Sequence, residues 1–315
     1  MKQLFACLLL TLSGIAQAQV ATETQVTRWT STINADHPLV GKVYDLSASQ
    51  EIDSNTLLSR LTKADTILIG EKHDNPDHHM LEQLILKHRL SEAAGATVVF
   101  EMLDDTQQDQ VASVNASYAP ETLPDALNWN GKAWPWEDYG SVITEALDGG
   151  ASLAVGNIAR SQLKSIYAKG NEELNNDAQL RSALKVDQSV RAELLDEIYE
   201  QHCQAMPRDK LNPMVDIQLA RDAHMASAIK TAQTKTVILI AGAYHVRKSM
   251  AVPLHMRLQN SERSPVVVIL AEVPQDLEGL EQYLKEQATN ADYLWFTPRF
   301  TNKDYCEAFR KKAKS

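Results

Sequence analysis

The sequence predicts an α/β fold: a mixed, largely parallel sheet flanked by helices, with a small helical-bundle insertion. Two observations carry this reading. Short apolar runs rich in β-branched residues recur along the chain with helical patterns between most of them, as in a sheet buried on both faces. Two of these runs also end alike: Thr66-Ile67-Leu68-Ile69 passes into Gly70-Glu71-Lys72-His73, and Val237-Ile238-Leu239-Ile240-Ala241 into Gly242-Ala243-Tyr244-His245. Gly-x-x-His sets a small residue at a strand exit and an imidazole just beyond it, where open α/β sheets keep their ligands.

The first segment joins Met1-Lys2-Gln3, an apolar run from Leu4 to Leu12 and Ala16-Gln17-Ala18, the charged, apolar and small-residue order of a secretory signal. Residues 1–18 are expected to be cleaved after Ala18, so that the protein is exported, to the periplasm if its source is a diderm bacterium. The apolar run is too short to span a bilayer, and no later run is long enough. Leu4-Phe5-Ala6-Cys7 would leave almost no apolar segment before Cys7, so lipoprotein anchoring is not expected. Residues 19–38, polar and threonine-rich, read as a flexible leader.

The sheet is then assigned to residues 39–159 and 231–315, with strands near 41–46, 66–69, 97–100, 152–155, 236–241, 266–271 and 293–296. A helix follows the first Gly-x-x-His: Asn75 caps it, Pro76 fits its first position, and Met80, Leu81, Leu84, Ile85 and His88 share a face up to Gly95. Residues 103–128 read as a polar helix broken by Pro120 and Pro124. Residues 160–230 carry apolar residues at helical spacing and no convincing strand, hence the insertion. The segment Gly131 to Tyr139, with Trp134 and Trp136, is either a loop pinned by its aromatics or one wall of a flat apolar pocket.

A net charge of −10, from 31 Lys and Arg against 41 Asp and Glu, argues against nucleic acid or an anionic membrane as partner. Beyond the signal the cysteines are Cys203 and Cys306, which either form one disulfide or remain two buried thiols. There is no Cys-x-x-Cys pair for zinc or haem attachment.

If the strands are parallel, their exits gather Glu71, His73, Glu101, Asn157, Arg160, Tyr244 and His245 on one edge. Two imidazoles and two carboxylates could hold a divalent zinc, manganese or iron ion, or act as acid and base without one. His78 or His79 could point at the same edge. Helical spacing aligns Met214, Gln218, Arg221 and Met225, so that Arg221 either pairs with a carboxylate such as Glu101 or joins Arg160 in binding an anion.

Together, Gly70 to His79, Phe100-Glu101-Met102, Trp134-Pro135-Trp136 with Tyr139, Gly156-Asn157 with Arg160, Met214 to Gln218, Arg221 to Ala226, and Ala241-Gly242 with His245-Val246-Arg247 resemble the ChaN-like haem-binding uptake proteins. The wider superfamily includes Tiki metalloproteases, TraB-like proteins and erythromycin esterases. The resemblance implies haem or iron uptake, haem held at a homodimer interface through a tyrosine, and haem-transport components as partners. Tyr244 and Tyr139 are the candidate iron ligands, with Arg160 and Arg221 for the propionates. The Tiki branch implies the alternative, a metal-dependent hydrolase with His73, Glu101 and His245 as ligands and Glu71 as general base. Tyr244 departs from the small residues more usual at its position in the group.

Overall fold

The structure is a computed structural model, and it describes residues 28–93, 95–274 and 279–307. The expected signal, residues 1–18, lies outside the described residues. Eight strands form one sheet: β1 (Val43–Asp45), β2 (Gln50–Ile52), β3 (Thr66–Glu71), β4 (Ala96–Asp104), β5 (Ser152–Asn157), β6 (Thr236–Gly242), β7 (Val266–Glu272) and β8 (Tyr293–Thr297). Their order is β2-β1-β8-β7-β3-β6-β4-β5. The strands β3 to β8 pair in parallel, and β1 adds antiparallel to β8 and β2. All six parallel strands therefore present their carboxyl ends at one edge. The helices are α1 (Ser54–Leu61), α2 (Pro76–Leu90), α3 (Gln108–Ser113), α4 (Leu123–Ala126), α5 (Trp136–Asp148), α6 (Arg160–Lys169), α7 (Asn171–Asn176), α8 (Gln188–Gln201), α9 (Asn212–Thr231), α10 (Val252–Leu258) and α11 (Leu280–Gln287).

Strand alternation sorts the apolar runs into two layers. Ile67, Ile69, Val98, Phe100, Ile238, Ile240, Val268 and Leu270 face one side, where α1, α2 and α5 close over them. Leu68, Val99, Val237, Leu239, Val267 and Ile269 face the other, against Met225, Ala226 and Ile229 of α9 together with α10 and α11. The helices between β5 and β6 gather a third cluster, including Ile166, Leu174, Leu195, Val215 and Leu219. Helix α9 serves both, with its first half in that cluster and its last turns on the sheet.

The helix expected after the first Gly-x-x-His starts as its sequence dictates. Asn75 accepts from the Asp77 amide at 2.9 Å, Pro76 takes the first position, and Ser91 rather than Gly95 ends it. The expected helix over 103–128 is corrected: β4 continues to Asp104, which with Gln107 forms a reciprocal cap on a 3-10 turn, and the short α3, a second 3-10 turn at Pro120–Thr122 and α4 follow. The leader is corrected in its described part. Thr30 and Ser31 donate their amides to Asp77 at 2.7 and 3.0 Å, and Ile33 bridges Arg299, so residues 30–33 are docked rather than free.

Cys203, just after α8, and Cys306, beyond β8, form a disulfide. The chain after β8 thus crosses the carboxyl edge: Asn75 Nδ2 donates to the Pro298 carbonyl at 3.3 Å, the Phe300 amide to Glu272 at 2.9 Å, and Tyr305 bonds Asp74. Because the bridge closes a loop of 103 residues, Cys306→Ser is expected to lower the unfolding free energy by about 2–4 kcal/mol. Denaturant unfolding of the oxidised protein beside the variant checks this, and superimposable curves would contradict it.

Candidate functional site at the carboxyl edge

The same alternation that builds the core sends the two key carboxylates to opposite faces. Glu71 follows Ile67 and Ile69 on the α2–α5 side, whereas Glu101 follows Val99 toward α9. Both are almost fully buried, and both lie inside strands that run past the ends expected from sequence. At Glu101 the register of β4 against β5 shifts between Phe100 and Asp104, and Asn157 donates to the Glu101 carbonyl at 3.0 Å. A bulge of this kind re-aims a side chain at a strand end. The closeness depends on Gly156, where a Cβ would lie 2.6 Å from the Phe100 carbonyl oxygen.

Glu101 joins the two Gly-x-x-His motifs. Its Oε2 accepts the Gly242 amide at 2.9 Å and lies 3.7 Å from His73 Nε2, while Oε1 lies 3.3 Å from His245 Nε2. The other nitrogen of each ring meets a second carboxylate: His245 Nδ1 bonds Asp222 at 2.5 Å, and His73 Nδ1 bonds Glu71 at 2.7 Å. Tyr139 donates to Glu71 Oε1 at 2.9 Å, and Trp134 packs edge-on against His73 with ring centroids 4.9 Å apart. Burial alone would lower both imidazoles, but the carboxylates outweigh it, holding His245 up to about 10 and His73 to about 8. Burial would raise Glu101, yet His245, His73 and the Gly242 amide hold it well below the usual carboxylate range. The edge is thus a chain of alternating charges, Glu71–His73–Glu101–His245–Asp222.

The candidate residues divide. His73, Glu71, Glu101 and His245 are brought together; Arg221 is not brought to Glu101. Arg221 is half-buried on α9, while Asp222, one residue and about 100° further round the helix, reaches His245 instead. This corrects the expected Arg221–Glu101 pair, since the partners of the Glu101 carboxylate among the described residues are two imidazoles and an amide. Tyr139, the other candidate iron ligand, is fully buried, and burial followed by the charges of Glu71 and Glu82 raises its hydroxyl above the ordinary tyrosine range. Tyr244 is 51% exposed on the 3-10 turn Ala243–Val246, with the Arg247 guanidinium 4.8 Å from its ring centroid. Arg247 is itself held by Glu197 of α8 through two 2.6 Å bonds. Arg160 is exposed at the start of α6.

Residues 57–256 match the family model described as haem-binding uptake, Tiki superfamily, ChaN. The chain belongs to this family. Its fold is similar to that of ChaN of Campylobacter jejuni, a structure described as showing cofacial heme binding, at 26% identity and a TM-score of 0.69 over 80% of this chain and 95% of that one. Two further solved structures align at 12 and 11% identity: the type III effector HopBA1, with a TM-score of 0.40 over 78% of this chain and 92% of its own, and a mutant of erythromycin esterase EreC in its open conformation, with 0.43 over 84% and 99%. No curated protein matches.

Of the two tyrosines that could offer an oxygen donor to haem iron, Tyr244 is exposed and Tyr139 is fully buried. Sequence reasoning left Asp222 without a role and missed Glu82, which bonds His79 at 3.2 Å. Both carry the same signal, an acid on an otherwise buried helical stripe: Val215, Leu219, Asp222 and Ala226 on α9, and Glu82 with Ile85 and Arg89 on α2.

Because the imidazoles are raised above an unfolded value near 6.5, their contribution to stability is complete below that pH and is lost as pH climbs through 8 to 10. Unfolding free energy is expected to fall by on the order of a few kcal/mol between pH 6.5 and 10, most of it from buried His245 because solvent screens His73, whose side chain is 39% exposed, and to fall less in Asp222→Asn, which removes one partner of His245. Denaturant titrations at the two pH values measure both, and a flat profile would contradict the charge chain. Gly156→Ala is expected to cost about 1–3 kcal/mol, read as a lower melting temperature.

Proposed function

We propose that this protein is exported to the periplasm and binds haem at the carboxyl edge of its sheet, as a carrier step in iron acquisition, and that it does so as a homodimer. The family match over residues 57–256 and the likeness to the Campylobacter ChaN support haem as cargo. The observation that carries the assignment to this edge is the exposed Tyr244 phenol, set on a short turn whose next residue, His245, is anchored by Glu101 and Asp222. A phenolate is a hard oxygen donor suited to ferric iron, and reversible non-covalent ligation suits a carrier. Arg160 is exposed for a propionate, and Arg221 has a buried Nε without a hydrogen-bond partner. Export, dimer formation and delivery to transport components are part of this reading.

Hemin titrated into the full chain is expected to give a saturable Soret change. Tyr244→Phe should weaken it at least about tenfold, whereas Tyr139→Phe, which alters a buried hydroxyl, should leave the affinity within a few fold. Equal affinities for wild type and Tyr244→Phe would overturn the assignment of Tyr244.

A further inference from the structure

Behind His73, on the α2–α5 face, lies a second cluster that haem binding does not use. Glu71, His79 and Glu82 each offer a donor atom, and these atoms all lie within 4.8 Å of one another. All three residues are buried, Glu82 completely. Glu71 Oε2 and Glu82 Oε1 accept no hydrogen bond, a costly condition for carboxylate oxygens out of reach of water. By contrast, neither oxygen of Glu101 is left in that state, because Gly242, His73 and His245 surround it. The orphaned oxygens therefore do not belong to the edge pocket where sequence spacing alone would look for a cation.

The orientation of His79 sharpens the point. Its Nε2 lies 3.1 Å from the His73 carbonyl oxygen, which can only accept, so Nε2 carries the hydrogen. In the neutral ring Nδ1 is then a bare lone pair, and it faces Glu71 Oε2 at 3.6 Å and Glu82 Oε2 at 3.2 Å. Three lone-pair donors facing one another in a dry site require a cation between them, either a proton on Nδ1 or a metal ion. Donors about 2.0–2.2 Å from a tetrahedral ion stand about 3.4 Å apart, and the two distances from His79 Nδ1, 3.6 and 3.2 Å, lie on either side of this, with the set within 4.8 Å. Outer partners are also in place: Tyr139 and His73 hold Glu71 through Oε1 and leave Oε2 free, and the His73 carbonyl holds the His79 ring.

We propose that Glu71, His79 and Glu82 form a buried site for one divalent first-row metal ion, bound through one imidazole nitrogen and two carboxylates. This donor set suits zinc, manganese or ferrous iron, and two carboxylates with a neutral imidazole balance its charge. Through Glu71 the ion fixes His73 and so stiffens the first Gly-x-x-His motif from behind. Its role is positioning, and it is separate from the exposed Tyr244 face.

Cobalt(II) serves as the probe. Full-length protein freed of metal by chelation and titrated with cobalt(II) is expected to bind one ion with a visible ligand-field band and a raised melting temperature. Glu82→Gln should weaken binding by at least about 100-fold, while His245→Gln, which alters the edge pocket, should keep the band. Should Glu82→Gln fail to fold, His79→Asn takes its place with the same expected loss. Absence of both band and melting shift in wild type would overturn the proposal, as would a band that survives Glu82→Gln and disappears in His245→Gln.

Discussion

The rest of the carboxyl edge depends on one buried carboxylate. Glu101 sits where water cannot solvate its charge, and it is tolerable only because an amide and two imidazoles supply that charge with partners. Removing any partner leaves a buried charge uncompensated, so the two Gly-x-x-His turns are tied to each other through it. The glycines serve the same geometry. A Cβ at Gly242 would stand 2.8 Å from His73 Nε2, and one at Gly70 would stand 2.3 Å from a Val246 methyl. Each strand exit is small because the other motif's side chain occupies the space.

The charge chain also separates scaffold from surface. Glu101, Asp222 and His245 are buried and hold one another, and Glu71 is buried with one oxygen bonded to His73 and Tyr139, so they are poor candidates for holding a large cargo directly. What they hold in place is the rim: half-buried Trp134 against His73, and exposed Tyr244 beside His245, with the Glu197-paired Arg247 across its ring. A buried interior under a partly exposed aromatic rim is consistent with the non-covalent haem binding proposed for this edge. The disulfide from Cys203 to Cys306 holds the chain beyond β8 across the same edge, so the rim is assembled from segments far apart in sequence.

Much of this was legible before any coordinates. The parallel core, the convergence of Glu71, His73, Glu101 and His245, and the helix capped by Asn75 follow from apolar runs, glycine exits and capping chemistry, all local signals. What was not legible depends on direction. Helical spacing grouped Gln218 with Arg221, but periodicity does not say how the helix is turned, and it is Gln218 and Asp222, four residues apart, that both reach His245. Strand period assigns Glu71 and Glu101 to opposite faces only once strand lengths are known, and both strands run further than their apolar residues indicate. Tyr139 and Tyr244 look equivalent as sequence, yet one is the hydrogen-bond donor to a buried glutamate and the other stands in solvent.

Where the cargo sits relative to this charge chain is decided by a crystal structure of the hemin-loaded protein. It is expected to show iron at the carboxyl edge, within bonding distance of the Tyr244 oxygen, with the Glu71–His73–Glu101–His245–Asp222 chain undisturbed behind it. Haem bound at the opposite edge of the sheet, or iron carried by a residue of the buried chain itself, would contradict it.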